Sequence, residues 1–372
     1  MTIRVMCAIL FVAFSFLWLY FFQADLLTVA QNILSSGHTH YDRTIGALLI
    51  TAVLWLLQLW FARMVKLTNA CYALTYFPSM FLLAVLSSVN VNDSRILSVT
   101  AWPLTAIVLL LMGGGAVLAA AKVKIVDRRH AIGLLSRHTW INLLIMALMI
   151  VAVAATGNTN AVYQYRLRAE TALKAGNYDE ALSVGSRSLE TDGYLMMLRM
   201  YAMSRKGVLG EQLFKYPLIA SSDNILPTDN KAGMLYYPVD SLYRHLGAIP
   251  RHEMNPMDYL KTLFSTGKAK RPAADYLLCG YLIDKDLDSF AADIERFYTV
   301  NDSLPRYYRE ALVLYTHLRS HPVIVYHDAV LDVDYEDMQK QKSMYATQDE
   351  QRSRMIDTYA DSYWFYYEYA GK

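Results

Sequence analysis

The chain has 372 residues, of which 55% are hydrophobic and 18% charged, with a formal net charge of +2. That length allows two or so structural units, and the weak net charge argues against a nucleic-acid partner. Three cysteines (Cys7, Cys71, Cys279) with no CxxC spacing offer neither a disulfide framework nor a structural zinc site.

The averages hide a division near residue 157. Residues 1–157 hold five of the six Trp and ten Lys and Arg against four acids, and residues 158–372 hold 24 of the 28 Tyr and 25 Lys and Arg against 29 acids. Five apolar stretches occupy the first part: Val5–Phe22, Thr44–Phe61, Cys71–Val89, Ile96–Ala121 and Thr139–Thr156. A bilayer core about 30 Å thick needs roughly 20 such residues in a helix, so each is expected to span a membrane. The first is too long and too rich in Phe, Trp and Tyr for a signal peptide, and its small-residue cleavage site is weak.

Arginine and lysine between the spans set the orientation. Arg4, Arg63, Lys66, Lys122, Lys124, Arg128, Arg129 and Arg137 fall on one side, and only Arg43 and Arg95 on the other. The sequence therefore predicts a cytoplasmic N-terminus in the inner membrane and, after an odd number of spans, a periplasmic second half. The spans carry almost no ionisable residues, which argues against a pump or proton-coupled transporter. "MGGGA" (Met112–Ala116) lacks the Gly-Lys-Ser/Thr of a phosphate loop and is read as close helix packing. "HTHYDR" (His38–Arg43) is read as a polar loop on the outer side, with metal or lipid-headgroup contact as the alternative.

The linker Gly157–Asn160 reaches little more than about 14 Å. After it, "KAGNYDEAL" resembles the middle of a tetratricopeptide repeat, with Gly176 turning the chain, Tyr178 packing across the pair and Ala181 at the helix contact. Helices are expected over about Ala161–Ala175 and Tyr178–Leu189, although Arg168 and Ala169 stand where the repeat has bulky residues. "GYLMMLRMYAMSRKG" and "LGEQLFKYP" continue the helical rhythm, and Ser221–Gly233 reads as a loop. Asn255-Pro256 and Pro305 mark helix starts. After Pro305, Tyr308, Ala311, Leu312, Tyr315 and Leu318 form one apolar stripe. Only "PVIVY" (Pro322–Tyr326) looks strand-like. The predicted fold is all-α: an N-terminal bundle of five transmembrane helices over residues 1–157, then a tetratricopeptide-like α-solenoid of helical hairpins over residues 158–372.

"THYDRTIGALLITAVLWLLQL", "ALTYFPSMFLLAVL", "GVLGEQLFKYP" and "LPRYYREALVLY" resemble an uncharacterised family of integral membrane proteins from Bacteroides-type bacteria. The resemblance implies an inner-membrane protein with a tetratricopeptide-like periplasmic part and no activity to assign to any residue.

Chemistry-bearing patterns are sparse. His317 and His321 stand i, i+4 on an expected helix, but no Glu follows the first and no third ligand is evident. No GxSxG or Cys–His spacing is present. No catalytic, cofactor-binding or metal residue is assigned, and the chain is not expected to be an enzyme. The remaining signal is the aromatic tail "DSYWFYYEYAGK". Thr347 and Glu350 read as the capping box of one final helix whose stripe Tyr359, Tyr363 and Tyr366 packs inward. Trp364, Phe365, Tyr367 and Tyr369 fall on other faces. They are either buried by a curled array or left as a partner-docking or membrane-contact surface. The expected function is a membrane-anchored scaffold that holds a protein of the cell envelope beside the bilayer, with an accessory subunit of an envelope enzyme or transporter as the alternative. The expected partners are the lipid bilayer and an envelope protein, without nucleic acid or cofactor.

Overall fold

A computed structural model describes residues 3–91, 97–99, 102–122, 136–227 and 234–371. It is helical apart from one short antiparallel strand pair, and it divides into two compact units, Met1–Asn160 and Ala161–Lys372.

The first unit opens with α1 (Ile3–Leu17), a π-helical turn (Trp18–Phe22) and α2 (Ala24–Leu34), which lies outside the five predicted spans. The apolar spacing of Leu26, Val29, Ala30 and Ile33 was the signal available for it. Next come α3 (Arg43–Val65), a 3-10 stretch (Asn69–Tyr76) and α4 (Phe77–Ser87). Strands β1 (Val89–Val91) and β2 (Leu97–Val99) pair Val89 with Val99, and α5 (Trp102–Lys122) and α6 (Arg137–Thr156) complete the unit. The expected third span is thus part 3-10, part α-helix. The fourth begins at Trp102, because Leu97–Val99 is a strand; Ile96 lies outside the described residues.

Among the described residues, four helical segments are long and apolar enough to cross a membrane: Ile3–Phe22, Arg43–Val65, Asn69–Ser87 and Arg137–Thr156. Only 22% of the apolar window in α3 is buried, and its Leu48, Leu49, Leu56 and Trp60 face outward. In water such a surface would be an aggregation liability; in hydrocarbon it is solvated. Two side chains tie elements together across the buried seam. Asn142 accepts from Ala73 N (2.7 Å) and donates to the carbonyls of Asn69 (2.9 Å), Ala70 (3.1 Å) and His138 (2.8 Å), pinning α6 to the 3-10 stretch. Trp18 Nε1 donates to Ser87 Oγ at 2.8 Å.

The second unit contains α7 (Ala161–Lys174), α8 (Tyr178–Ser183), α9 (Gly193–Lys206), α10 (Leu209–Gln212), α11 (Val239–Leu246), α12 (Pro256–Ser265), α13 (Arg271–Ile283), α14 (Leu287–Ile294), α15 (Arg306–Leu318), α16 (Ala329–Ser343), α17 (Gln348–Tyr359) and α18 (Tyr363–Tyr369). Most successive helices pack against one another, and their buried residues form one continuous core that runs from Ala169 to Tyr369. Several starts follow the sequence signals: Asn255 caps α12 with Pro256 at its first position, and Thr347 caps α17. α15 is central, with Tyr308, Ala311, Leu312 and Tyr315 buried, while Leu318 at its end is exposed. Pro322–Tyr326 is not a strand, although its side chains alternate, Ile324 and Tyr326 inward and Val323 and Val325 outward.

Candidate interaction site in the helical unit

The aromatic tail does not continue α17. The chain turns after Tyr359, and Ser362 starts α18 afresh, its hydroxyl accepting from Phe365 N at 3.2 Å. The new helix docks on a buried carboxylate. Glu310, on α15, accepts from Tyr363 N and from Arg306 Nε, both at 2.6 Å, and its own carbonyl accepts from Trp364 Nε1 at 2.8 Å. Burial pushes the Glu310 carboxyl up, and Arg306 and the Tyr363 N–H pull it back. Arg306 extends the junction to Asp361 (3.2 Å), and its N–H donates to Glu211 on α10 (3.0 Å). At the far end of α18, Lys285 Nζ donates to Ala370 O at 2.7 Å, satisfying a C-terminal carbonyl.

This geometry answers the question left open for the tail. Trp364 is 2% exposed and Tyr369 4%, so neither belongs to an outward face; the reason is Glu310, which draws the start of α18 into the core. Phe365 and Tyr367 are half-buried. Tyr363 and Tyr366 pack on Phe214 with ring centroids 5.0 and 4.7 Å away.

The "KAGNYDEAL" hairpin forms with Gly176 at φ +76° and Asn177 capping α8, but α8 stops at Ser183 instead of Leu189. Gly185 follows at φ +60°, packed so closely on the Tyr165 ring that a Cβ would strike it. The carbonyls just beyond α8 are met by Arg199, 1% exposed, whose Nη2 donates to Val184 O and Gly185 O at 3.1 Å each. Its guanidinium lies 5.1 Å from the Tyr216 ring centroid.

A second buried carboxylate closes this part of the fold. Glu170, on α7, accepts from the backbone N–H groups of Leu235 (3.1 Å), Tyr236 (2.5 Å) and Tyr237 (3.0 Å). Nothing in its sequence neighbourhood marks it, since its partners lie some 65 residues downstream.

The histidine pattern is corrected. α15 ends at Leu318, so His321 lies beyond the helix and does not share its face with His317. His317 Nε2 and His327 Nδ1 each stand 3.2 Å from an oxygen of Asp332. In "HTHYDR", Asp42 caps α3, Arg43 Nε donates to Tyr20 O at 2.6 Å in the π turn, and His38 and His40 are exposed. In "MGGGA", Gly113 lies against the Phe77 ring with no room for a Cβ, while Gly114 and Gly115 have open space.

One further pair has the look of a nucleophile and its base. Ser204 Oγ and His245 Nε2 are 3.0 Å apart. Burial and the charges of Arg205 and Lys270 push His245 down to about 4. A base that activates serine is oriented by a carboxylate that stabilises its cation, and here the charged neighbours are cations. The pair ties α9 to α11, and among the described residues it lacks the carboxylate that would orient His245.

Two cavities flank Leu226 and Pro227. One of about 250 Å³ is lined by Arg166, Asp192, Tyr194 and Asp223 among others, and one of about 190 Å³ lies between Tyr243, Tyr259 and Arg251–Met254. Both are smaller than the usual small-molecule site of roughly 300 Å³ or more. Among the described residues, no three His, Cys, Asp or Glu side chains gather as a metal ion would require.

A model of a protein family of unknown function, DUF6057, matches residues 249–370, from just before α12 to the end of α18, the stretch that contains Glu310 and Trp364. Comparison with curated proteins and with solved structures gave no match.

Proposed function

We propose that the chain is a membrane-anchored scaffold whose helical unit stands outside the cytoplasm and binds a protein of the cell envelope. The observation that carries this reading is the pairing, in one chain, of long apolar helices with outward-facing apolar surfaces and a separate unit of packed helical hairpins. Arg137–Thr156 ends four residues before α7 begins, which would tether the helical unit to the bilayer. On this reading α5, 21 residues long, is the fifth span, the eight-to-two bias of Lys and Arg sets the N-terminus in the cytoplasm, and the hairpins form a tetratricopeptide-like array.

Topology is tested by labelling single cysteines, in a chain otherwise free of them, with a membrane-impermeant maleimide on spheroplasts. Ser320→Cys should label and Arg63→Cys should not; the reverse pattern inverts the proposed orientation. Binding is tested by crosslinking in membranes followed by capture, with residues 1–160 as the control. Failure to enrich any protein above that control removes the scaffold reading.

A second reading, an accessory subunit of an envelope enzyme or transporter, draws on Asn142. Three hydrogen bonds from one side chain to Asn69, Ala70 and Ala73 specify the packing of the apolar unit more closely than an anchor requires. Rescue of function by the helical unit on an unrelated anchor would remove this alternative.

A further inference from the structure

The helical part of the chain is acidic in sum, with 25 Lys and Arg against 29 acids, yet one of its faces is cationic. Arg205 stands in the last turn of α9 and Arg244 in the last turn of α11; Lys268 and Lys270 lie in the turn between α12 and α13. Hydrogen bonds gather these three places. Lys270 N donates to Leu246 O at 2.8 Å and Lys270 Nζ to Arg244 O at 2.7 Å, folding the turn against the end of α11. The Ser204–His245 contact fastens α9 to the same end. All four cations are exposed. Among the described residues, only Asp240 pairs with any of them, meeting Arg244 at 3.6 Å with both side chains more than half exposed, a pair that water screens heavily. Three of the four charges are thus without a carboxylate partner among the described residues.

We infer that this face docks an acidic, extended segment of a partner protein. The inference rests on the scaffold reading above and names the chemistry of what the scaffold holds. Four cations on three elements present a surface that several carboxylates spaced along one chain can meet at once, and guanidinium groups pair carboxylates by two parallel hydrogen bonds. The four charges stand at the ends of α9 and α11 and in the turn between α12 and α13, a path that one extended acidic chain can follow, and the test below sets an anionic lipid surface against it. His245, neutral between Arg205 and Lys270, adds no charge of its own and reports on the field: an anion seated here would let it take up a proton more readily.

The test uses the full chain in neutral nanodiscs with a ten-residue Glu-Ser repeat peptide as the probe. The peptide should bind and weaken steeply between 50 and 200 mM salt, and it should raise the His245 titration midpoint, read by histidine-selective NMR with His245→Gln for assignment. Arg244→Glu with Lys268→Glu, both exposed positions, should weaken binding at least tenfold while leaving the thermal midpoint unchanged. Lys261→Glu, on α12, should not weaken it. Equal binding by the double variant overturns the inference. So does binding of phosphatidylglycerol vesicles with no binding of the peptide, which would make the face a lipid contact, or no binding of either. If the double variant still captures the same envelope proteins as the wild type, this inference fails and the scaffold reading stands; if neither captures any protein, the scaffold reading fails and the peptide measurement judges the face alone.

Discussion

Replacing Glu310 by Ala probes the junction that seats α18. Two hydrogen bonds to a charged group disappear, from Tyr363 N and Arg306 Nε, each 2.6 Å long and each contributing about 1.5–3 kcal/mol. Tyr363 N–H is left buried without an acceptor, whereas Arg306, whose side chain is 34% exposed, keeps Asp361 and part of its hydration. The net loss should therefore fall near 3–5 kcal/mol, the range for removing one partner of a buried pair. Glu310→Gln retains one carbonyl oxygen, enough for Tyr363 N or Arg306 but not both, and should lose roughly half as much. Hydrogen exchange of the full chain in nanodiscs, followed over residues 306–318 and 359–371, separates this local effect from the apolar unit. Loss of protection by less than about fivefold in Glu310→Ala, equivalent to about 1 kcal/mol, would refute the view that this carboxylate holds the tail.

Other outcomes follow from the same geometry. His245 is held near 4, below the 6.5 of a free imidazole, so its contribution to stability is full above pH 6.5 and is lost as pH falls from 6.5 towards 4. The drop in thermal midpoint between pH 7.0 and 4.5 should accordingly be smaller in His245→Gln than in the wild type. Gly176→Ala and Gly185→Ala both place a side chain at positive φ, at a cost of about 1–2 kcal/mol. Gly176 faces open space and Gly185 faces the Tyr165 ring, so urea unfolding should show the larger loss for Gly185→Ala. Asn142→Leu should lower the thermal midpoint of the detergent-solubilised protein, each lost interhelical bond contributing about 0.6–2 kcal/mol. An unchanged midpoint would mean that the 3-10 stretch is held by packing alone.

Local features of this fold were readable from sequence where the causes are local. Asn255-Pro256 and Thr347 carry their capping chemistry within three residues, and the α15 stripe follows from helical period alone. The single final helix expected from Thr347 stops at Tyr359, because Ser362 is itself a good N-cap and starts a new helix. The same reasoning applied at Thr347 would have found the break. His321 was placed on a helix that ends three residues earlier. Glu170 and Glu310 were beyond reach for another reason. Each is a charged residue in a helical pattern, which reads as a solvated face, and only contacts 53 to 67 residues away show it to be buried.

Those two carboxylates also constrain how the chain is made. A repeat array can add one hairpin at a time, each stable on those before it. Here α7 carries a carboxylate whose acceptor sites are met only when Leu235–Tyr237 arrive, and α15 carries one that waits for Tyr363. At a synthesis rate of about 5–20 residues per second, each interval lasts roughly 3–13 s, during which a carboxylate destined for the interior must stay in water. The early hairpins should remain loose over that time, open to proteases and to any chaperone on the side of the membrane where they emerge. Closure then comes in two late steps, set by the arrival of downstream backbone and not by the completion of each hairpin.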